Sequence, residues 1–346
     1  MAKNVASHLV FGVGHWNNDP ANLSEQQEML AMCRKHGIDT FDVARHYSHG
    51  ESEKFLGNEG LSSEFKIITK APMGLFPNGS TKEGIIEHWE ESSKALKTDK
   101  VAFYLLHCPD DGTPISETME GIQTLYEAGH FYEVSSLSSL PRPSTNKTKF
   151  GISNFSSAQV AELHSYAKSK GYILPTVYQA VYSLCSRKNE FELFPLLRSL
   201  NIKIQAYSAL ASGFLVKTPS DIKAGKGLFD PSTVLGKIVQ DMYGKPSYLK
   251  FLEEYRKLCE EVGESPAGLA YRLMVWNSAL KVEEGDIVCL GASSAGQLEN
   301  TILEVEKGKL DDWVVQRLDA MWGDIEVEAP GDNFGTYKKL MKAGIL

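Results

Sequence analysis

The sequence predicts an α/β fold in which eight parallel strands, each followed by a helix, close into a (β/α)8 TIM barrel. Three observations predict it. Short apolar runs alternate with amphipathic segments along the whole chain. The 346 residues suit one barrel domain, 1–346. No G-x-G-x-x-G follows a strand and opens a helix; Gly12-Val13-Gly14 is only a fragment of that pattern, which argues against an open dinucleotide-binding sheet.

The opening strand is Leu9-Val10-Phe11-Gly12, and strand-like runs follow near 38–42, 65–70, 101–107, 149–153, 176–181, 203–207 and 287–291. Helix-like segments lie near 24–36, 51–58, 82–96, 115–128, 157–170, 190–200, 249–263 and 295–308. Ser156 is placed to cap the fifth helix, and Ser293 or Ser294 the last barrel helix. An extra helix, 265–278, carries apolar residues at near-helical spacing before the eighth strand. Leu210 to Lys245 reads as a long loop after strand seven, of the length that often forms a lid, here over a cofactor. Residues 323–346 read as a C-terminal tail.

An apolar fraction of 42% and a charged fraction of 23% are ordinary for a globular protein. A net charge of −8 argues against a nucleic-acid surface, though it leaves room for a local basic pocket. The five cysteines, at 33, 108, 185, 259 and 289, are odd in number and form no C-x-x-C. Buried thiols in a reducing compartment are expected, with no zinc site or other metal. The first residues lack the apolar core of a signal peptide and no run is long enough to span a bilayer, so the expectation is a cytoplasmic protein without a membrane partner.

Ionisable residues end three successive apolar strands. Gly37-Ile38-Asp39-Thr40-Phe41 delivers Asp42, Phe65-Lys66-Ile67-Ile68-Thr69 ends on Lys70, and Val101-Ala102-Phe103-Tyr104-Leu105-Leu106 ends on His107. Packing does not explain such placement. Tyr47 follows Asp42 by five residues in a loop rich in turn formers, so parallel neighbouring strands bring Asp42, Tyr47, Lys70 and His107 to one spot.

This constellation resembles the tetrad of the aldo-keto reductases. Gly50-Glu51-Ser52-Glu53 behind the tyrosine, then strand-Lys, strand-His and Gly151-Ile152-Ser153-Asn154-Phe155, stand in the family's order. Leu174-Pro175-Thr176-Val177-Tyr178-Gln179 and Glu190-Phe191-Glu192-Leu193-Phe194-Pro195 look most like the aflatoxin-aldehyde (succinic semialdehyde) reductase branch, with the potassium-channel β subunits more distant. Relatives pass almost directly from helix four into strand five. Here 134–148, dominated by serine and proline, intervenes; it reads as a tolerated insertion on the face of the barrel opposite the chemistry.

The resemblance implies roles that elementary chemistry supports. Tyr47 would protonate the carbonyl oxygen as hydride reaches carbon. A free phenol, with a pKa near ~10, releases its proton reluctantly at neutral pH. The Lys70 ammonium would stabilise the phenolate, and Asp42 would hold Lys70 charged and aimed, since an unpaired buried ammonium is costly. His107 would donate a hydrogen bond to the substrate oxygen. Trp16, after strand one, and His46 are candidate walls of the substrate pocket, with Phe229 and Tyr243 from the lid.

The implied cofactor is NADPH. Ser153, Asn154 and Gln179 would hold its carboxamide with neutral donors and acceptors. Tyr207 would stack on the nicotinamide, Ser208, Leu210, Ser212 and Gly213 would meet the pyrophosphate, and Lys217 resembles a family phosphate contact although the chain is one residue short there. Gly291, Ser293, Ser294 and Gln297, at a helix start, suit the adenosine 2′-phosphate. Many members carry arginine where Gln297 stands, although the aldehyde-reductase branch also tolerates glutamine. Relatives often place Glu then Asn against the adenine where Asn300 and Thr301 appear here.

The implied activity is NADPH-dependent reduction of aldehydes or ketones, with a small-molecule carbonyl partner and the homodimer that relatives of this branch suggest. Two rivals stand beside it: a cofactor-retaining regulatory subunit of the channel-β type, and alcohol oxidation through the same residues with proton flow reversed.

Overall fold

The computed structural model describes residues 5–131 and 149–346. The expected insertion, 134–148, lies outside the described residues. In chain order the elements are β1 (Leu9–Gly12), α1 (Pro20–His36), β2 (Thr40–Asp42), α2 (Glu51–Asn58), β3 (Lys66–Ala71), α3 (Lys82–Leu96), β4 (Phe103–Leu106), α4 (Ile115–Glu127), β5 (Phe150–Ser153), α5 (Ser157–Lys170), β6 (Val177–Val181), α6 (Leu193–Ser199) and β7 (Lys203–Tyr207). Then come α7 (Pro219–Lys223), α8 (Val234–Tyr243), α9 (Pro246–Val262), α10 (Pro266–Arg272), β8 (Ile287–Leu290), α11 (Ala295–Glu306), α12 (Asp312–Gly323) and α13 (Asn333–Lys342).

The strands form a closed barrel in sequence order, β1 to β8, and the paired strands are parallel. Register decides which residues share a rim. Gly12 pairs with Asp42, Asp42 with Ile68, Lys70 with Leu105 and Ser153 with Gln179. Five of the six residues of β3 and all of β4, β5 and β6 are buried, the continuous apolar signature of a strand covered on both faces. The chain separates into two compact units. One comprises Val10–Gln179 with Leu197–Lys203, the other Met1–Leu9, Ala180–Leu196 and Ile204–Leu346.

Local signals set the helix ends. Asp19 caps α1 by accepting from the Ala21 amide, Pro20 occupies the first helical position, and Gly37 stops the helix at φ 73°. Ser156 caps α5 in a reciprocal box with Gln159. Of the two serines proposed for α11, Ser294 is the cap.

One expectation is corrected. The segment from Leu210 to Lys245 is mostly helical, not a loop. Thr218 and Asp221 form a capping box at the start of α7, and Thr233 caps α8, whose Ile238, Val239, Met242 and Tyr243 are buried. The C-terminal tail carries α13: Asp332 caps the helix through the Gly335 amide at 2.6 Å, and Lys339 pairs with Asp241 of α8 at 2.7 Å. The extra helix before β8 is present, but its α-helical part ends at Arg272 and one π turn, Leu273–Asn277, completes it.

Candidate active site

Lys70 is fully buried and its ammonium is held from two sides, by Asp42 Oδ1 at 2.7 Å and the Val43 carbonyl at 2.9 Å. Water cannot serve a cation there, so its partners must. The other carboxylate oxygen, Oδ2, accepts from Gln179 Nε2 at 2.7 Å. Asp42 is therefore fixed by one cation and one amide, and its position fixes Lys70 in turn.

Tyr47 is carried by the turn between β2 and α2. Its amide donates to the Ala44 carbonyl at 3.0 Å, and the Arg45 amide donates to the Lys70 carbonyl at 3.3 Å. Lys70 Nζ stands 5.0 Å from the centre of the Tyr47 ring. The ring leans on Gly14, where a Cβ would come within 3.0 Å of Cδ2. Ser48 and Ser52 both donate to the Gly14 carbonyl, at 3.0 and 2.9 Å. Ser48 and His49 adopt left-handed backbone, φ 46° and 55°, which lets the chain double back under the tyrosine. Arg45 secures the far side. Its Nε donates to Glu91 at 2.9 Å, and its guanidinium fills the space over Gly50, where a Cβ would lie 2.1 Å from Nη1.

His107 follows directly on β4 with its ring 5.5 Å from Tyr47 and edge-on to it, and His46 lies 4.6 Å from His107 and 4.8 Å from Tyr47. Burial holds both imidazoles neutral, with the Lys70 charge adding to the effect; His107 falls well below the usual histidine range and His46 to about 4. Among the described residues neither Nδ1 has a hydrogen-bond partner, although both are shut off from solvent. The sign for stability follows. The unfolded chain takes up protons on these rings below pH 6.5 while the folded chain does not, so stability is full above 6.5 and falls as pH drops toward 4. Each ring costs at most ~1.4 kcal/mol per pH unit in that window. Thermal melts of the wild type and His46→Gln between pH 7.5 and 4.5 check this: the variant's curve is expected to be the flatter, and parallel curves refute it.

The ends of β5 and β6 complete the cluster. Asn154, at φ 62°, turns its Nδ2 to the His107 carbonyl at 2.8 Å and to Ser153 Oγ at 3.1 Å. Ser153 Oγ donates to the Gln179 carbonyl at 2.9 Å. With the Gln179–Asp42–Lys70 bonds, polar contacts link the ends of β2 through β6 in one network. All four tetrad residues belong to the unit built on Val10–Gln179.

In the other unit, β7 ends on half-buried Tyr207, and the next residues turn left-handed at Ser208, Ala211, Ser212 and Gly213. Ser208 Oγ accepts from the Ser212 amide at 3.0 Å, and half-buried Leu210 sits inside the turn. Lys217 follows after a single 3-10 turn, Phe214–Val216. At α11, Gln297 Oε1 accepts from the Ser293 amide and hydroxyl at 3.1 and 2.8 Å, while Ser294 caps the helix. Gly291 is open, with no heavy atom within 4 Å of the place a Cβ would take. Thr301 lies on the buried stripe of α11 with Leu298, Ile302 and Val305, at 8% exposure, which leaves little of it for a ligand.

Comparison with known proteins decides what this geometry belongs to. A model of the Aldo/keto reductase family matches residues 8–137 and 148–323. The chain belongs to the aldo-keto reductase family. Among its relatives, the oxidoreductase sirO of Leptosphaeria maculans is 40% identical over 311 residues, covering 90% of this chain and 89% of its own. The aflatoxin B1 aldehyde reductase member 2 of Rattus norvegicus is 33% identical over 308 residues, with 85% and 79% covered. The glycerol dehydrogenase of Gluconobacter oxydans, 22% identical with a TM-score of 0.67 over 94% of both chains, shares the fold. This aldo-keto reductase is an oxidoreductase of a family that reduces carbonyl groups, and its likeness to the aflatoxin-aldehyde branch holds in these relatives.

The reductase's Trp16 is a correction. It is 0% exposed, boxed edge-on by Phe11, Phe41 and Phe55 at 5.5 to 5.8 Å, so it is core and not a substrate wall. Phe229 and Tyr243 are likewise fully buried, packed around Phe214. Two supports went unread in the sequence: the amide of Gln179 on Asp42, and Arg45 over Gly50. A glycine three residues after a loop tyrosine, at φ 86°, was the available signal for the second.

Proposed function

We propose that this aldo-keto reductase reduces aldehydes to primary alcohols with NADPH, Tyr47 delivering the proton. The observation that carries the reading is the Lys70 ammonium 5.0 Å from the centre of the Tyr47 ring and pinned by Asp42 at 2.7 Å. A phenol beside a fixed cation gives up its proton more readily than a free one, because the phenolate left behind is stabilised.

Each of the two units carries groups that suit part of a nicotinamide cofactor. Ser153, Asn154 and Gln179 present neutral donors and acceptors suited to a carboxamide. Tyr207 offers a ring face, and Ser208, Leu210, Ser212 and Gly213, in the left-handed turn after β7, are read as the pyrophosphate contacts. Ser293, Ser294, Gly291 and the amides opening α11 suit a phosphate. When bound, the cofactor supplies the hydride. The chain does the rest: Tyr47 Oη gives its proton to the carbonyl oxygen, His107, neutral through the physiological range, donates to the same oxygen, and Lys70 with Asp42 stabilises the charge on Tyr47. His46, beside both rings, is read as a substrate contact.

Where the rest of the substrate lies bears on its charge. We read as its place a groove of about 460 Å³ lined by Met73 after β3, by Pro109 to Thr113 after β4, which include Asp110 and Asp111, and by Phe155 and Glu162, although no tetrad residue lines it. Carboxylates there disfavour anionic substrates. The test is a panel of neutral and carboxylate-bearing aldehydes followed by loss of reduced-cofactor absorbance. The expected result is higher kcat/KM for neutral aldehydes and for NADPH over NADH. No turnover of any aldehyde would sink the activity, and a preference for NADH would sink the cofactor assignment. Five buried free thiols suit a cytosolic enzyme, and among the described residues no helix is long and apolar enough to cross a membrane.

A further inference from the structure

Glu53 is a buried carboxylate that the proposed chemistry does not use. It sits on α2, fully buried, and its Oε1 accepts from Thr69 Oγ1 at 2.6 Å. Its Oε2 has no hydrogen-bond partner among the described residues, and neither do the buried hydroxyls of Ser92 and Tyr104. The Arg45 guanidinium stands across from Oε2, with Nη1 at 3.9 Å. Burial pushes the Glu53 carboxyl up, while the Thr69 and Ser92 hydroxyls and the Arg45 and Lys70 charges pull it back. A carboxylate so placed carries a penalty that an apolar side chain filling the same space would avoid. What the charge can do there is hold Arg45.

Arg45 meets the end of β3 twice. Its amide donates to the Lys70 carbonyl at 3.3 Å, and its guanidinium faces Glu53, which holds Thr69, the residue before Lys70. Arg45 Nε fastens the other side to Glu91 of α3 at 2.9 Å. Side chains alternate along a strand, so Lys70 faces the site while Thr69 turns to the helices behind it. Arg45, Glu53, Thr69 and Lys70 thus close a ring through backbone and side chain. Tyr47 lies two residues beyond Arg45, on a turn whose amide rests on the Ala44 carbonyl at 3.0 Å.

We infer that Arg45 and Glu53 are positioning residues that brace the Tyr47 turn against β3 and so set how far the phenol stands from the Lys70 ammonium. The inference rests on the reading of Tyr47 as proton donor, and both residues act through Tyr47 and Lys70.

The test separates rate from fold. Arg45→Met, Arg45→Lys and Glu53→Gln are compared with wild type for kcat and KM toward an aldehyde that the wild type reduces, for the Kd of NADPH, and for the pH dependence of kcat. Arg45→Met is expected to lower kcat about 10–100-fold with KM and Kd within about threefold of wild type, since a small misplacement of reacting groups suffices for such a loss. The alkaline limb of the pH profile is expected to move to higher pH, because a phenol farther from Lys70 loses stabilisation of its phenolate. Arg45→Lys keeps a charge but, as a point donor on a flexible stem, cannot span Glu53 and Glu91. The same shift in that variant therefore assigns the effect to position and not to charge. Arg45→Met leaves Glu53 without its cation; if it folds poorly, Arg45→Lys and Glu53→Gln, which keeps an acceptor for Thr69, decide by the same readouts. Wild-type kcat and an unmoved limb in the variants that fold overturn the inference, whatever their melting temperatures. Lack of any aldehyde turnover by the wild type overturns the activity reading first, and the brace falls with it.

Discussion

Tyr47→Phe is expected to leave cofactor binding intact and to lower kcat for carbonyl reduction by ~10²–10⁴-fold, the range that loss of a positioned general acid produces. The variant loses one oxygen and keeps the ring, which contributes the contacts with Gly14, His46 and His107. Its neighbours Ser48 and Ser52 remain anchored on the Gly14 carbonyl, so the turn keeps its course. A fall in kcat with the Kd for NADP+ and the melting temperature near wild type therefore isolates the proton donor. The neutral state of His107 sharpens the contrast: an imidazole that stays unprotonated through neutral pH is a poor substitute acid. Wild-type turnover in Tyr47→Phe would remove Tyr47 from the chemistry and with it the reading of the Lys70 pair as an activator.

The tetrad was legible because each member stands where an apolar run stops, and a parallel barrel gathers such ends on one rim. The run ending on Lys70 could be read because β3 is buried on both faces, which makes a lysine there anomalous. Sequence order could not reveal the bond from Gln179 to Asp42, which spans 137 positions and depends on strand register. Trp16 was misplaced for a related reason. Position after β1 says nothing about which way a side chain turns, and three aromatic neighbours draw it inward. The helices between Leu210 and Lys245 were missed because polar and glycine residues interrupt them into short pieces. Their caps, Thr218 with Asp221 and Thr233, were in plain view but carried less weight than the missing apolar period.

The buried pair offers the other large effect, and here stability and rate can be pulled apart. In Lys70→Met, Asp42 keeps only the Gln179 amide and becomes a buried carboxylate without its cation, which is expected to cost ~3–5 kcal/mol of stability. Carbonyl reduction should fall by at least ~10²-fold, since the phenolate of Tyr47 loses the positive charge 5.0 Å from its ring. Asp42→Asn makes the converse defect, an ammonium left with the Val43 carbonyl and a neutral amide. The double variant Asp42→Asn with Lys70→Met removes both charges at once and leaves an amide that can still bond Gln179. Its stability by urea unfolding should return most of the way to wild type, because no uncompensated charge remains, and the single-variant losses should fail to add. Its turnover should not return. If the pair served only to hold the barrel together, rate would recover along with stability, so a stable double variant with near-wild-type kcat would assign Lys70 and Asp42 to architecture. A stable but inactive one assigns the charge to Tyr47.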